Sequence, residues 1–502
     1  MIKQAAILSF LNLLSRMTGF FREVLFAGLF GVSLYADAFV VAFKFPNIFR
    51  SLFAEGAASN AFLPVLKKAA TLNMLNSFVS YATKFLLASS VSLSVIIFLF
   101  PHFVLTIFAP GLSNDASLLA KTSLELVCWY LPAMTLVLVV NNILNFKQRF
   151  GFAALVQILL NLLFCIVFLF DHGSAEKAFA ALNRTVFVLS LLTIVLCTVY
   201  LKKAFPTHAN NLDPCLKKDF FEFFSVGILI SSFYQLLIFV STVTVSYFEA
   251  GSISVFNYAD RLYQIPLGII GVSLAQVSLS YMVTMEEREK ILKRSLYMAS
   301  RLGFFFAGLL IGVSEILVSV VYKAVSVAYG LETIDEVTVN WIAVTFRCLC
   351  YGLPFTMIGL VSSRYLYALG KHKINLAALL VQLVVFLSLI CTTFVWDLEQ
   401  LSLKQFFPTL KYQTAYLAIA LSLSAIVYSL IVGAFSLGFW RHKGFLLDLV
   451  WPFLAASIGI FSIISVDLSD LSRLSQLLIY SFVYSFAFGV IFILEFIGRK
   501  FD

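Results

Sequence analysis

The residues of this chain that could do chemistry are arginines placed inside apolar segments. Arg16, Arg22 and Arg50 lie within the first two long apolar runs of the sequence. A charged side chain at the centre of a membrane-spanning helix costs about 2.5–3.5 kcal/mol, so several together are expected only where they line a wet or ligand-filled interior. The pattern therefore predicts a cationic cavity inside a membrane and an anionic ligand.

The composition places the chain among membrane proteins. Of its 502 residues, 61% are hydrophobic and 12% are charged, and the mean hydropathy is +0.97. The net charge of +9 comes mostly from basic residues in the short gaps between apolar runs, which orientation in a membrane explains without nucleic-acid binding. The seven cysteines show no metal-ligand spacing, so no metal site is expected.

Long apolar runs recur down the whole chain and set the predicted architecture. Each is about as long as a helix needs to cross the hydrocarbon layer, and we count fourteen of them. Basic residues concentrate in alternate gaps, which predicts that both termini are cytoplasmic. The expected fold class is an all-α polytopic membrane protein with fourteen transmembrane helices.

A short internal repeat divides these helices into two sets. The triplet Tyr-Ala-Asp at residues 35–37 is expected to open the second helix, and its copy at residues 258–260 is expected to open the eighth. Each copy is followed by a proline in the same run, Pro46 and Pro266. The copies are six predicted helices apart, which predicts two six-helix lobes related by a pseudo-twofold axis along the membrane normal. We expect a ligand site between them.

The predicted domain limits follow from the repeat and from the longest gap between apolar runs. The expected parts are an N-terminal lobe at 1–203, a linker at 204–219, a C-terminal lobe at 220–440 and two further helices at 441–502.

The second predicted helix has the features of a bent, cationic wall. Lys44 and Arg50 flank Pro46, which removes a backbone hydrogen bond and should kink the helix. In the first helix, Gly19 allows bending or a close approach of another backbone. The few intramembrane acidic residues could neutralise single arginines but not the whole set, so positive charge remains for a ligand.

Several sequence blocks resemble one known family. They are Ser15-Arg16-x-x-Gly19-Phe20-x-Arg22-Glu23, Asp37-Ala38-Phe39, Ala42-Phe43-Lys44-x-Pro46-Asn47, Arg50, Phe53-Ala54-Glu55-Gly56-Ala57, Ala61-Phe62-x-Pro64 and Tyr258-Ala259-Asp260-Arg261-Leu262. This pattern is similar to the signature of the MurJ (MviN) family of bacterial lipid II flippases. The resemblance implies the fold of the multidrug/oligosaccharidyl-lipid/polysaccharide exporter superfamily, with two extra C-terminal helices.

The resemblance also implies roles for individual residues. The side chains expected to line the cavity and bind the pyrophosphate headgroup are Arg16, Arg22, Arg50 and Arg261. Supporting or gating roles are expected for Asp37, Asp260, Glu55, Lys44, Pro46, Ser15 and Gly19.

The expected function is translocation of lipid II, which is linked to undecaprenyl pyrophosphate, from the inner to the outer leaflet of the bacterial cytoplasmic membrane by alternating access. Such transport needs no covalent catalysis, so neither an enzyme nor a cofactor is expected, and the membrane potential or an ion gradient is left open as the driving force. The expected partners are lipid II, membrane lipids and proteins of cell-wall synthesis.

Two alternatives remain open from the sequence. An exporter of the same superfamily could carry another polysaccharide-lipid or a drug, although drug antiporters are expected to use buried carboxylates rather than arginines. A membrane transferase acting on polyprenyl phosphate would need acidic metal ligands in its loops, and the loop carboxylates here lack paired spacing.

Overall fold

The computed structural model describes most of the chain. The described residues are 2–52, 59–170, 173–205, 212–284, 287–331, 333–395, 413–437, 443–466, 468 and 471–498. Within these ranges every regular element is a helix and no strand is present. The predicted all-α fold class is therefore confirmed.

The chain forms two compact units, Met1–Ser254 and Val255–Asp502. The helices of the first unit are α1 (Ile2–Phe30), α2 (Leu34–Phe49), α3 (Ser59–Thr71), α4 (Leu75–Leu99), α5 (Pro101–Phe108), α6 (Asn114–Val127), α7 (Tyr130–Phe146), α8 (Phe152–Leu169), α9 (Ala175–Ala204), α10 (Pro214–Ser246) and the start of α11 (Ser252–Pro266).

Small polar residues begin several of these helices. The side chains of Ser33, Ser113 and Ser174 each accept a hydrogen bond from a backbone N–H in the first turn of α2, α6 and α9. Asp213 does the same for α10, and Pro214 follows at the position where a missing N–H costs least. These caps divide a continuously apolar sequence into separate helices.

Packing inside the first unit brings the arginine-bearing helix against a helix with few polar residues. α1 packs along α8, α2 packs along α6, and α10 packs along α3. At the α3–α10 contact, Lys68 Nζ lies 2.5 Å from Asp219 Oδ2. The ring of Phe78, on α4, meets that of Phe220 on α10 edge to face at 5.8 Å. The α1–α8 contact holds the polar cluster described below.

The second unit continues α11 and adds nine more helices. They are α12 (Val272–Thr284), α13 (Arg288–Val318), α14 (Ala324–Ala328), α15 (Glu336–Cys350), α16 (Leu353–Ala368), α17 (His372–Val395), α18 (Gln413–Leu437), α19 (Lys443–Ile464) and α20 (Arg473–Gly498). A π-helical turn, Leu267–Gly271, links α11 to α12 directly after Pro266, and a second, Ser319–Lys323, links α13 to α14. Both mark places where the regular hydrogen-bond ladder is broken.

α13 is the packing centre of the second unit, in contact with α15, α16, α19 and α20. Glycines make these approaches close: a Cβ on Gly303 would lie 2.6 Å from Cα of Pro354. A Cβ on Gly308 or Gly459 would collide with the ring of Tyr484, which is fully buried between them. Tyr484 of α20 therefore fills a gap between α13 and α19.

The apolar helices support a multi-pass membrane protein. In the described part of the chain, nine helices are long and apolar enough to cross a membrane, and α15 with α16, bent by 40° at their junction, would make a tenth crossing. The count of fourteen crossings and the limits of the two lobes stay predictions.

Candidate functional site

Arg22 lies at the contact between α1 and α8. Its Nη1 donates to Oδ1 of Asn161 at 3.2 Å, and its Nη2 donates to Oε1 of Glu23 at 2.5 Å. The guanidinium carbon also lies 6.0 Å from the ring centre of Phe43 and 5.6 Å from that of Phe164. Residues of α1, α2 and α8 therefore hold this half-buried arginine together.

Asn161 is the functional candidate that the sequence analysis missed. Its Nδ2 donates to the carbonyl oxygen of Ser15 at 3.3 Å and to Oγ1 of Thr18 at 3.4 Å, while its Oδ1 accepts from Arg22. The side chain is only 3% exposed. The signal was available, because an amide in the otherwise apolar run 158–169 needs partners inside the membrane.

Ser15 and Gly19, both predicted to support the site, lie against this amide. A Cβ on Gly19 would be 3.2 Å from Nδ2 of Asn161, so the missing side chain lets the amide come close to α1. Ser15 contributes its main-chain carbonyl rather than its hydroxyl. The structure thus gathers Ser15, Gly19 and Arg22 around Asn161.

The cluster of Arg22, Glu23 and Asn161 is polar but nearly neutral in charge. A guanidinium has five N–H donors, and two of those on Arg22 are used by partners in the described part of the chain. The others can bind a ligand. Glu23 offsets the charge of Arg22, so attraction of an anion depends also on the other basic residues of the helices.

The structure also describes the other two predicted arginines of the first unit. Arg16 has an exposed side chain on α1. Arg50 is half-buried, and its Nε donates to Oδ1 of Asn47 at 2.9 Å. Arg50 begins a π-helical turn at 50–52, four residues after Pro46. This turn is the irregularity that the structure shows in the helix predicted to kink at Pro46. Lys44, on the same helix, is half-buried.

Asp37 lies in the first turn of α2 and is 3% exposed. Its two carboxylate oxygens accept hydrogen bonds from the backbone N–H groups of Gly251 at 2.7 Å and Ser254 at 2.8 Å. These groups lie at the start of α11, where the helix dipole favours a negative charge. Asp37 therefore caps α11 from another helix, within the first unit.

The predicted residues of the second unit are Asp260 and Arg261, both half-buried in the body of α11. Oδ2 of Asp260 accepts from Nε2 of Gln264, one turn further along the same helix, at 2.6 Å. The described polar contact of this aspartate is thus local, in contrast to that of Asp37.

The second copy of the triplet was expected to open its helix, and this is wrong. α11 begins at Ser252, so residues 258–260 lie in its second and third turns. The physical reason is the turn that precedes it: Gly251 has a φ of +90°, which ends the turn, and Asp37 then caps the new helix.

Some expectations receive no site geometry. Glu55 lies outside the described residues.

Arg347 of α15 shows a structural use of an intramembrane arginine, since its Nη2 lies 3.5 Å from Oε2 of Glu315 and its Nε donates to Ser314. Within the described ranges, no three His, Cys, Asp or Glu side chains are grouped to hold a metal ion.

Together, the apolar helices and the charged groups held between them define an all-helical, multi-pass membrane protein of the transporter class. The sequence model of the family described as "Lipid II flippase MurJ" matches residues 26–488. The chain therefore belongs to the MurJ family of lipid II flippases.

Individual relatives agree with this assignment. The chain is 28% identical over 401 residues to the "Probable lipid II flippase MurJ" of Rickettsia prowazekii, covering 77% of this chain and 76% of that protein. It is 31% identical over 284 residues to the "Lipid II flippase MurJ" of Burkholderia cenocepacia, covering 53% of this chain and 54% of that protein.

Solved structures show the same fold. A "Lipid II flippase MurJ, inward closed conformation" superposes with a TM-score of 0.78 at 24% identity, covering 98% of this chain and 100% of that one. An inward-facing multidrug resistance transporter of the MATE family, from the MOP superfamily, superposes with a TM-score of 0.62 at 12% identity, covering 90% and 98%. The fold is thus shared with transporters of different cargo.

Proposed function

We propose that the protein moves lipid II from the inner to the outer leaflet of the bacterial cytoplasmic membrane. Membership of the family supports this substrate. The observation that carries the proposal is the polar cluster of Arg22, Glu23 and Asn161 between α1 and α8. In this cluster Arg22 is fixed by two partners but keeps N–H donors for a ligand. A guanidinium pairs bidentately with phosphate oxygens and stays charged when partly desolvated, as binding of a pyrophosphate requires.

The proposed headgroup site combines four arginines. Arg22 binds phosphate through its remaining N–H donors, and Arg16, Arg50 and Arg261 add the positive charge that Glu23 removes from Arg22. The polyprenyl tail prefers lipid, so it stays outside the polar site while the headgroup crosses.

Alternating access is the proposed mechanism, and two features of the helices support it. The Asp37 carboxylate holds the start of α11 through two hydrogen bonds that can break without any covalent step. Pro46 and Pro266 are each followed by a π-helical turn, which gives both helices a place to bend. We propose that opening on one side of the membrane releases Asp37 and that closing restores its bonds.

The orientation follows from the basic gaps between helices, which place both termini in the cytoplasm of a multi-pass inner-membrane protein. Proteins of cell-wall synthesis are the proposed partners, since they consume the translocated precursor. The membrane potential or an ion gradient supplies the driving force.

The experiment is depletion and reconstitution. Depletion in cells should accumulate the lipid-linked precursor on the inner leaflet, and purified protein in proteoliposomes should move lipid II. Arg22→Ala should reduce transport about tenfold to a hundredfold, because a hydrogen bond to a charged group is worth about 1.5–3 kcal/mol. Arg22→Lys should retain part of it, since lysine keeps the charge but loses the fork.

Arg184, an exposed arginine on the apolar helix α9, provides the matched control. Arg184→Ala should leave transport unchanged. Full transport by Arg22→Ala would contradict the site. Wild-type proteoliposomes that move another polyprenyl-linked saccharide but not lipid II would replace the proposed substrate.

A further inference from the structure

The contacts of Asn161 suggest that it does more than join two helices. Among the described residues, it is the only hydrogen-bond partner that Arg22 finds on another helix. Its own amide is fixed from the opposite side by Ser15 and Thr18 of α1. Asn161 therefore links the position of the α1 backbone to the guanidinium of Arg22.

The two hydrogen-bond partners of Arg22 differ in charge and in the helix they come from. Glu23 is the next residue on α1 and binds Nη2 as an ion pair, whereas Asn161 binds Nη1 as a neutral acceptor. With both in place, the plane of the guanidinium is set by two points on separate helices. Without Asn161, the guanidinium would lose its only described hydrogen bond to another helix, so the direction of its remaining N–H donors would no longer be fixed from two sides.

We propose that Asn161 is a positioning residue for phosphate binding, acting through Arg22. This proposal rests on the proposed function, because the ligand is the pyrophosphate of lipid II. Asn161 holds the guanidinium in the orientation that leaves its remaining N–H groups directed at the ligand.

The test compares two buried asparagines of the first unit. Asn183 of α9 is 1% exposed and also joins two helices, since its Oδ1 accepts from Oγ of Ser123 in α6 at 2.6 Å, but no contact with an arginine is described for it. Asn161→Ala and Asn183→Ala each remove a buried amide that joins two helices. Thermal unfolding in detergent measures the structural cost of each.

Lipid II binding and transport are then measured on the intact protein. Asn161→Ala should raise the half-saturating lipid II concentration about tenfold, the loss expected for a contact to a charged group, with a much smaller change in the maximal rate. Asn183→Ala should leave the half-saturating concentration unchanged, even if it lowers the unfolding temperature equally.

A double-mutant cycle separates positioning from packing. In an Arg22→Lys background, Asn161→Ala should weaken lipid II binding less than twofold, because the residue it orients has been replaced. A full tenfold loss in that background, or an equal loss in Asn183→Ala, would show that Asn161 acts through helix packing and would overturn the proposal. Wild-type protein that binds no lipid II would overturn the proposed function together with it.

Discussion

The two copies of the Tyr-Ala-Asp triplet have the same sequence and different structural roles. Asp37 is buried in the first turn of α2 and binds two backbone N–H groups at the start of another helix. Asp260 is half-buried in the body of α11 and accepts a hydrogen bond from Gln264 of the same helix. The first aspartate joins helices, whereas the described bond of the second lies within one helix.

The tyrosines of the triplets differ in burial, although each contacts a residue of another helical element. Tyr35 is half-buried, with its ring 5.5 Å from that of Phe179. Tyr258 is fully buried, its ring lies 5.3 Å from that of Tyr322, and its carbonyl accepts the hydroxyl of Tyr322. The two copies of a repeated motif can therefore lie on related helices and still make different contacts. These contacts depend on where each copy lies relative to the start of its helix.

The largest expected effect tests this difference at the aspartates. Asp37→Ala leaves two buried N–H groups without their acceptors, at about 1–3 kcal/mol each, and should nearly abolish transport in proteoliposomes. Asp260→Ala removes the acceptor of one described side-chain hydrogen bond and should cost about 1 kcal/mol or less in thermal unfolding, with transport retained. Equal losses of transport would show that the two carboxylates do equivalent work after all.

A smaller effect is expected at the two prolines that follow the triplets, which have similar surroundings. Pro46 and Pro266 are both buried and both precede a π-helical turn. Alanine at either site restores a backbone donor and should straighten the helix, leaving the unfolding temperature the same or higher while transport slows a few-fold. Opposite effects of Pro46→Ala and Pro266→Ala on the transport rate would break the analogy between the two helices.

The smallest effect is expected where a contact between helices is crowded but not removed. Gly19→Ala places a methyl group 3.2 Å from Nδ2 of Asn161, which must shift by a few tenths of an ångström. Lipid II binding should weaken by about twofold to fourfold, as for a loss of roughly 0.5–1 kcal/mol. Gly489→Ala on α20, where a Cβ meets open space, is the control and should change nothing. Unchanged binding in Gly19→Ala would mean that the amide adapts freely.

The class of protein and part of the site could be predicted because they depend on local composition. Apolar runs of membrane-spanning length give an all-α fold whatever their packing, and charged residues inside such runs need a polar partner. For this reason Ser15, Gly19 and Arg22, chosen from one helix, are found around a single cluster.

Contacts between helices could not be predicted, because they depend on which helices pack together. Nothing in the sequence of α8 pairs Asn161 with Arg22 rather than with another helix. The sequence also did not single out the ion pair of Arg22 with Glu23, the next residue of the same helix. The triplet at 258–260 was wrongly expected to open α11, because the start of that helix is fixed by a glycine turn and by a carboxylate from elsewhere in the chain.

The buried ring of Tyr484 has a consequence for the order in which this protein is made. The slot that it fills is formed by Gly308 of α13 and Gly459 of α19, both of which leave the ribosome before α20. During synthesis these glycines form an unfilled groove that lipid must cover. A chain that stops before Tyr484 would keep that groove, so the second unit reaches its final packing only after α20 has been made.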